Sequence, residues 1–289
     1  MVKFSLRLDT VLNQFRLAPK SAQAITIAGL VICSSLIVLV FFGESLAPYS
    51  PQQMIAGILL PPSSKHLMGT DELGRDVFSR IVSGTKWSVA VSFIAVSISM
   101  LVGTSLGAFS GYFGGGLDRV LMVGMDAVYI FPSFVLAVLI AAVMGAGIGT
   151  SSLAVAIVMI PTFYRVIRSI TLSIKESGFI EGERAIGASG RYIIVNHIAP
   201  FYVSSLFVLI SLGAAQAILI TSGLGFLGLG IPPPNPEWGT DLAAGRMFLM
   251  EGMWWLTVFP AIMIFLAVLG FNLLSEGLDA VLNPQIRKL

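Results

Sequence analysis

The chain has 289 residues, 56% of them hydrophobic and only 11% charged, with a mean hydropathy of +0.90. An ordinary soluble domain carries about a quarter charged residues, so a water-soluble globular fold is excluded, as are disordered and collagen-like chains. Its 17 basic and 15 acidic residues leave a formal charge of +2, too balanced to attract nucleic acid, and the single cysteine with two histidines argues against a disulfide, zinc or iron–sulfur site.

A membrane-crossing helix needs about 20 mostly apolar residues, and stretches of that kind between successive charges predict six. The first lies between Lys20 and Glu44, and without a small-residue cleavage site it reads as a retained anchor. An external segment from Glu44 to Lys86 follows, then a second span from Trp87 to about Tyr112. Between Val120 and Arg165 the only charge is Asp126, and this stretch is too long for one crossing. The glycine-rich run from Gly145 to Ser152 divides it into a third and a fourth span. A cytoplasmic loop from Arg165 to Pro200 leads to the fifth span, about Phe201 to Ser222, and the sixth lies between Glu251 and Glu276. Backbone groups in hydrocarbon must bond internally, so the expected fold class is an all-α integral membrane protein.

Basic residues set the orientation. With the N-terminus inside, the cytoplasmic segments hold Lys3, Arg7, Arg16, Lys20, Arg119, Arg165, Arg168, Lys175, Arg184, Arg191, Arg287 and Lys288, against Lys65, Arg75, Arg80, Lys86 and Arg246 outside. The excess of twelve over five places both termini in the cytoplasm. The chain then divides into residues 1–86, which hold the N-terminal segment, anchor and external segment, and a five-helix core over 87–289 with the cytoplasmic loop 165–200.

Four features bear on chemistry. A phosphate-binding loop needs a Gly-Lys pair, which this sequence lacks, so any coupled ATP hydrolysis belongs to another subunit. Gly223 to Gly228 fits G-x-G-x-x-G, but a membrane helix precedes it and Pro232 to Pro234 follow, so it reads as a tight turn and not a dinucleotide site. Asp126 is the one acid well inside an apolar run: either a pathway or proton residue, or a helix-packing residue bonded to a neighbouring helix or sitting near the cytoplasmic interface. Arg119, seven positions earlier, lies about 10 Å along the helix axis and is too far to pair with it. His66 and His197 fall in loops or at an interface, and Trp254-Trp255 suits an aromatic belt.

The cytoplasmic loop reads as an amphipathic helix over about Ser177 to Ile186, a glycine break at Gly187 to Gly190, and a second helix stopped by Pro200. Glu181 and Arg184 share its charged face at i,i+3 spacing. From the residues alone it is either a solvated helix without a partner or a docking element.

This loop resembles the EAA motif of permease subunits of binding-protein-dependent ABC importers, with Glu181, Gly187, Ile198 and Pro200 matching and both alanines replaced, by Gly182 and Glu183. Two other stretches, His66 to Arg80 and Gly225 to Gly239, are similar to the peptide/nickel branch, and within it to the dipeptide and oligopeptide permease C proteins. The resemblance implies a type I importer fold of an anchor helix plus a five-helix core, in the plasma (inner) membrane of a prokaryote. It implies as partners a homologous second permease, two ATPase subunits that bind ATP and Mg, and an external substrate-binding protein, with no cofactor in this chain. It assigns ATPase coupling to Glu181, Gly182, Glu183, Ala185, Ile186, Gly187 and Ala188, where Glu181 would cap or pair and Ile186 would be buried by the partner. The implied substrates are di- or oligopeptides; nickel or metal-opine import is the alternative within the branch. A secondary transporter would call for paired intramembrane ionisable groups and inverted repeats, and an intramembrane hydrolase for a nucleophile and base within the spans; the sequence offers neither set.

Overall fold

A computed structural model describes residues 15–55 and 57–282. Lys3, Arg7, Arg287 and Lys288, which enter the charge count, lie outside the described residues. In chain order the helices are α1 (Lys20–Leu46), α2 (Val77–Phe113), α3 (Gly115–Tyr129), α4 (Ser133–Met144), α5 (Ile148–Lys175), α6 (Gly178–Ala185), α7 (Gly190–Phe226), α8 (Trp238–Gly245) and α9 (Trp255–Leu282). The described residues contain no strand, only isolated antiparallel bridges between Met54 and Arg75 and between Thr70 and Asp76. Five helices, α1, α2, α5, α7 and α9, are long and apolar enough to cross a membrane, and a sixth crossing exists if α3 and α4 count as one.

The fold is organised by the contact of α2 with α5, the most extensive helix pair. Ser99, Gly103, Gly107 and Gly111 recur every fourth residue and form one small-residue face of α2. A Cβ at Gly103, Gly107 or Gly111 would lie 2.7, 2.5 or 2.9 Å from the carbonyl oxygens of Ile160, Tyr164 and Arg168, on successive turns of α5. The backbones therefore touch, and the Ser99 hydroxyl extends the seam by donating to the carbonyl of Ala156 at 2.9 Å. The anchor α1 docks in the same manner on α9: Gly29 meets the backbone of Leu274 and Gly277 meets Thr26. Around these seams Ala95, Val155, Met159, Phe163, Ala217 and Leu224 form the central core.

Outside the spans, the segment between α1 and α2 is held to the bundle by polar contacts. Asp76 caps α2, accepting from the backbone N–H and hydroxyl of Ser79 at 2.8 and 2.7 Å, and bonds His66 Nδ1 at 2.9 Å. Arg80 pairs with Asp241 of α8, approaches Asp71 at 3.8 Å and donates to the carbonyl of Pro51 at 3.1 Å. Glu237 caps α8 through the N–H groups of Gly239 and Thr240 and also accepts from Ser88 of α2 at 3.3 Å. Its carboxyl is fully enclosed, and burial pushes its pKa up from the ordinary carboxylate value. The two motif stretches, His66 to Arg80 and Gly225 to Gly239, thus both fasten to the first turns of α2, through Asp76 to Ser79 and through Trp238 to the carbonyl of Ile81.

Four expectations are corrected. The second span begins at Val77, so α2 runs straight through residues 86 and 87. The proposed loop 165–200 is mostly helix: α5 continues to Lys175, and α7 starts at Gly190. In both cases a charge suggests a helix end, yet Arg80, Lys86, Arg165 and Arg168 are each neutralised by a carboxylate of another element and remain inside their helices. The third span is not one helix, because α3 and α4 meet at 90° around Ile130, Phe131 and Pro132; proline disfavours helical geometry in the residue before it. Finally, Pro200 does not stop a helix. The chain passes it through a π-turn at Ile194–Ile198, which accommodates the missing proline N–H.

Gly107→Leu should abolish the monodisperse, folded protein in detergent, since its side chain has only the Tyr164 backbone to enter, an overpacking cost of at least about 1–3 kcal/mol. Gly124→Ala, which meets nothing within 4 Å, should leave the melting temperature unchanged or slightly raised. Equal behaviour of the two variants in thermal unfolding would contradict the seam.

Candidate functional site

The connection between α5 and α7 is anchored from within and presents its outer face. In α6, Ile180 is completely buried and packs with Ile167 of α5 and with Ile193, Ile198 and Tyr202 of α7. Burial of such a side chain contributes about 1.5–3 kcal/mol, enough to seat an eight-residue helix that would be unstable alone. Glu181, Gly182, Ala185, Ile186 and Gly187 point outward, and Ile186 is 80% exposed. Glu183 and Ala188 are half-buried.

Gly187 adopts φ +84°, a conformation that residues with a Cβ avoid. Its N–H donates to the carbonyl of Arg184 and that of Ala188 to the carbonyl of Glu183, both at 3.0 Å, which closes the helix with the paired bonds of a left-handed glycine cap. Ser189 then caps α7, accepting from the N–H of Tyr192. The chain reverses between two helices within a few residues, and the turn holds α6 rigidly against α7.

Two contacts in this region escaped the sequence reading. Arg184 turns back to donate to the Tyr112 hydroxyl at 3.3 Å, and its guanidinium lies over that ring, so it serves α2 and not Glu181. Glu183, one of the residues standing where the EAA motif has alanine, places its carboxylate 3.6 Å from His197 Nε2 in the π-turn of α7. No local spacing signalled either contact, because both cross between elements.

Asp126 is bonded to a neighbouring helix. Arg165 of α5 donates to it at 2.6 Å through Nη2, and the guanidinium lies 3.7 Å from the Tyr129 ring centroid. Eight residues earlier, Asp118 receives both Nε and Nη2 of Arg168, each at 2.6 Å, together with the hydroxyl of Ser110. The second tie is mostly buried, whereas Asp126 and Arg165 keep 49% and 40% of their side-chain surface exposed. A residue-spacing argument restricted to one helix excludes Arg119 as a partner for Asp126 but cannot find Arg165.

The comparisons with known proteins agree with this architecture. Residues 103–288 match the family described as binding-protein-dependent transport system inner membrane component. A glutathione transport system permease protein of Pectobacterium atrosepticum is 39% identical over 267 residues, covering 92% of this chain and 88% of that one. A dipeptide transport system permease protein of Alkalihalophilus pseudofirmus is 38% identical, covering 91% and 86%. Among solved structures, an inward-facing form of the MetNI methionine ABC transporter superposes with a TM-score of 0.53 at 17% identity, covering 69% of this chain and 96% of the matched chain, and so supports the type I importer fold. With α-helical spans, the family match over most of the core and relatives that cover nearly the whole sequence, this chain belongs to the family of inner membrane components of binding-protein-dependent transport systems.

Proposed function

We propose that the chain is one of two homologous permease subunits of an ATP-driven importer and forms half of a translocation pathway for peptides. Two ATPase subunits bind ATP and Mg, an external binding protein delivers the substrate, and both termini lie in the cytoplasm of a prokaryote. Membership of a binding-protein-dependent family removes the secondary-transporter alternative. The relatives named above are a glutathione and a dipeptide permease, which favours a peptide substrate over nickel or a metal opine.

The observation that carries the reading is the construction of α6. Its inner residue, Ile180, sits in the core between α5 and α7, while its outer residues are small or apolar and unpaired with this chain: Gly182, Ala185 and Ile186. A Cβ at Gly182 would meet nothing within 4 Å, so this glycine answers no steric need inside the subunit. Such a face suits a groove on an ATPase. A push on α6 is transmitted through Ile180 to α5 and α7.

Gly187→Val forces a β-branched residue into left-handed geometry, a cost of about 1–2 kcal/mol, and should reduce co-purification of the ATPases and substrate uptake while the spans remain inserted. Glu181→Ala should weaken assembly by only about 0–1 kcal/mol, the range of a solvated ion pair. Normal uptake by an intact Gly187→Val complex would remove α6 from the coupling path.

The purified chain should hydrolyse no ATP, since it holds no Gly-Lys phosphate loop; hydrolysis stimulated by substrate-loaded binding protein should need the full complex. For orientation, in a Cys33→Ala background an impermeant thiol reagent applied to spheroplasts should label Ser64→Cys and spare Ser189→Cys. The opposite pattern would refute the topology.

A further inference from the structure

Helix α3 is amphipathic but has no buried residue, and it meets the bundle chiefly through the two ties to α5. The Asp126–Arg165 pair lies toward the inner end of α5: Arg165 is ten residues before the last residue of the helix and seventeen after its first, about 15 and 25 Å along the axis. Acyl chains cover a half-exposed ion pair only at a desolvation cost, so its open side favours water or protein. The same face carries the break between α3 and α4, where Ile130 is 79% and Phe131 50% exposed. Non-helical backbone within a membrane is tolerated only where it is enclosed by protein or lines a water-filled cavity, and broken helices of this kind commonly bound substrate sites.

The pair is also chemically incomplete. A single hydrogen bond, from Arg165 Nη2 to Asp126 Oδ1, joins the two groups. It leaves Asp126 Oδ2 as an acceptor, Nε and Nη1 of Arg165 as donors, and Tyr129 as an aromatic wall beside the guanidinium. A neutral pair with a spare acceptor and spare donors matches a ligand that carries an ammonium and a carboxylate together. Enclosing it in a dry protein interface would instead leave those spare positions desolvated. We infer that Asp126, Arg165 and Tyr129 line the aqueous pathway and form a subsite for the charged termini of a zwitterionic peptide, the ammonium on Asp126 and the carboxylate on Arg165. This assignment rests on the reading of the chain as a peptide permease.

The test uses the complete complex with its second permease and ATPases in proteoliposomes oriented with the cytoplasmic side outward, without ATP. In a Cys33→Ala background the probe is a thiol introduced as Val123→Cys, one turn before Asp126 and 62% exposed. A charged methanethiosulfonate should modify it from the cytoplasmic side. Millimolar free dialanine should slow the reaction severalfold, whereas N-acetyl-dialanine amide should not. Adding Asp126→Asn should remove the protection, and in cells, with ATP and the binding protein present, maximal dialanine uptake should fall about tenfold, as for loss of one charge-assisted hydrogen bond, with the half-saturating concentration and the amount of assembled ATPase unchanged. An unreactive thiol would show the face sealed by protein or lipid and overturn the inference. So would modification that neither peptide slows, or equal protection by both. If the unmodified complex fails to import dipeptides at all, the peptide reading itself falls, and that outcome is separable from the labelling results.

Discussion

The close approach of α2 to α5 is the constraint on which the rest of the structure depends. Lipid supplies no hydrophobic drive for two apolar helices to associate, so contact must come from packing and polar bonds. Gly103, Gly107 and Gly111 allow the α2 backbone to rest on three successive carbonyls of α5. Several elements take their position from that pair. The two motif stretches fasten to the first turns of α2, α3 is tied to α5, and α6 follows directly from the end of α5 and packs on its Ile167.

Charges in this bundle work as ties across helices. Arg80, Lys86, Arg165 and Arg168 each find a carboxylate on a different element, which lets helices run past residues that would otherwise mark the membrane edge. The ties differ in burial, and that difference has a structural meaning. Asp118–Arg168, bidentate and supported by Ser110, fastens α3 at its start. Asp126–Arg165, single and half-exposed, leaves the end of α3 and the bend at Pro132 open to whatever fills the space beside them.

Between α5 and α7, the same economy of contacts fixes a short helix. One buried isoleucine and one left-handed glycine define the position of α6, and nearly everything else on it faces outward. Arg184 and Glu183 add contacts to α2 and α7, so displacement of α6 is felt by three long helices at once. The Glu183 contact to His197 also gives a physical role to a residue that stands in place of a motif alanine.

The sequence by itself determined the solvent, the helical class, the short loop helix and its glycine break, because each depends on composition or on local conformational preference. Apolar length selects lipid, and the need for Gly187 to take positive φ is visible wherever a helix ends at glycine before a new helical run. The tertiary structure alone decided where α2 and α5 begin and end, since a charge stops a helix in lipid only if no partner neutralises it, and the partners of Arg80, Arg165 and Arg168 lie on other elements. It also decided that Asp126 answers Arg165, that the third crossing is bent at Pro132, and that Gly103, Gly107 and Gly111 face a backbone. Those outcomes depend on which helix lies beside which, and spacing along one helix carries no record of its neighbour.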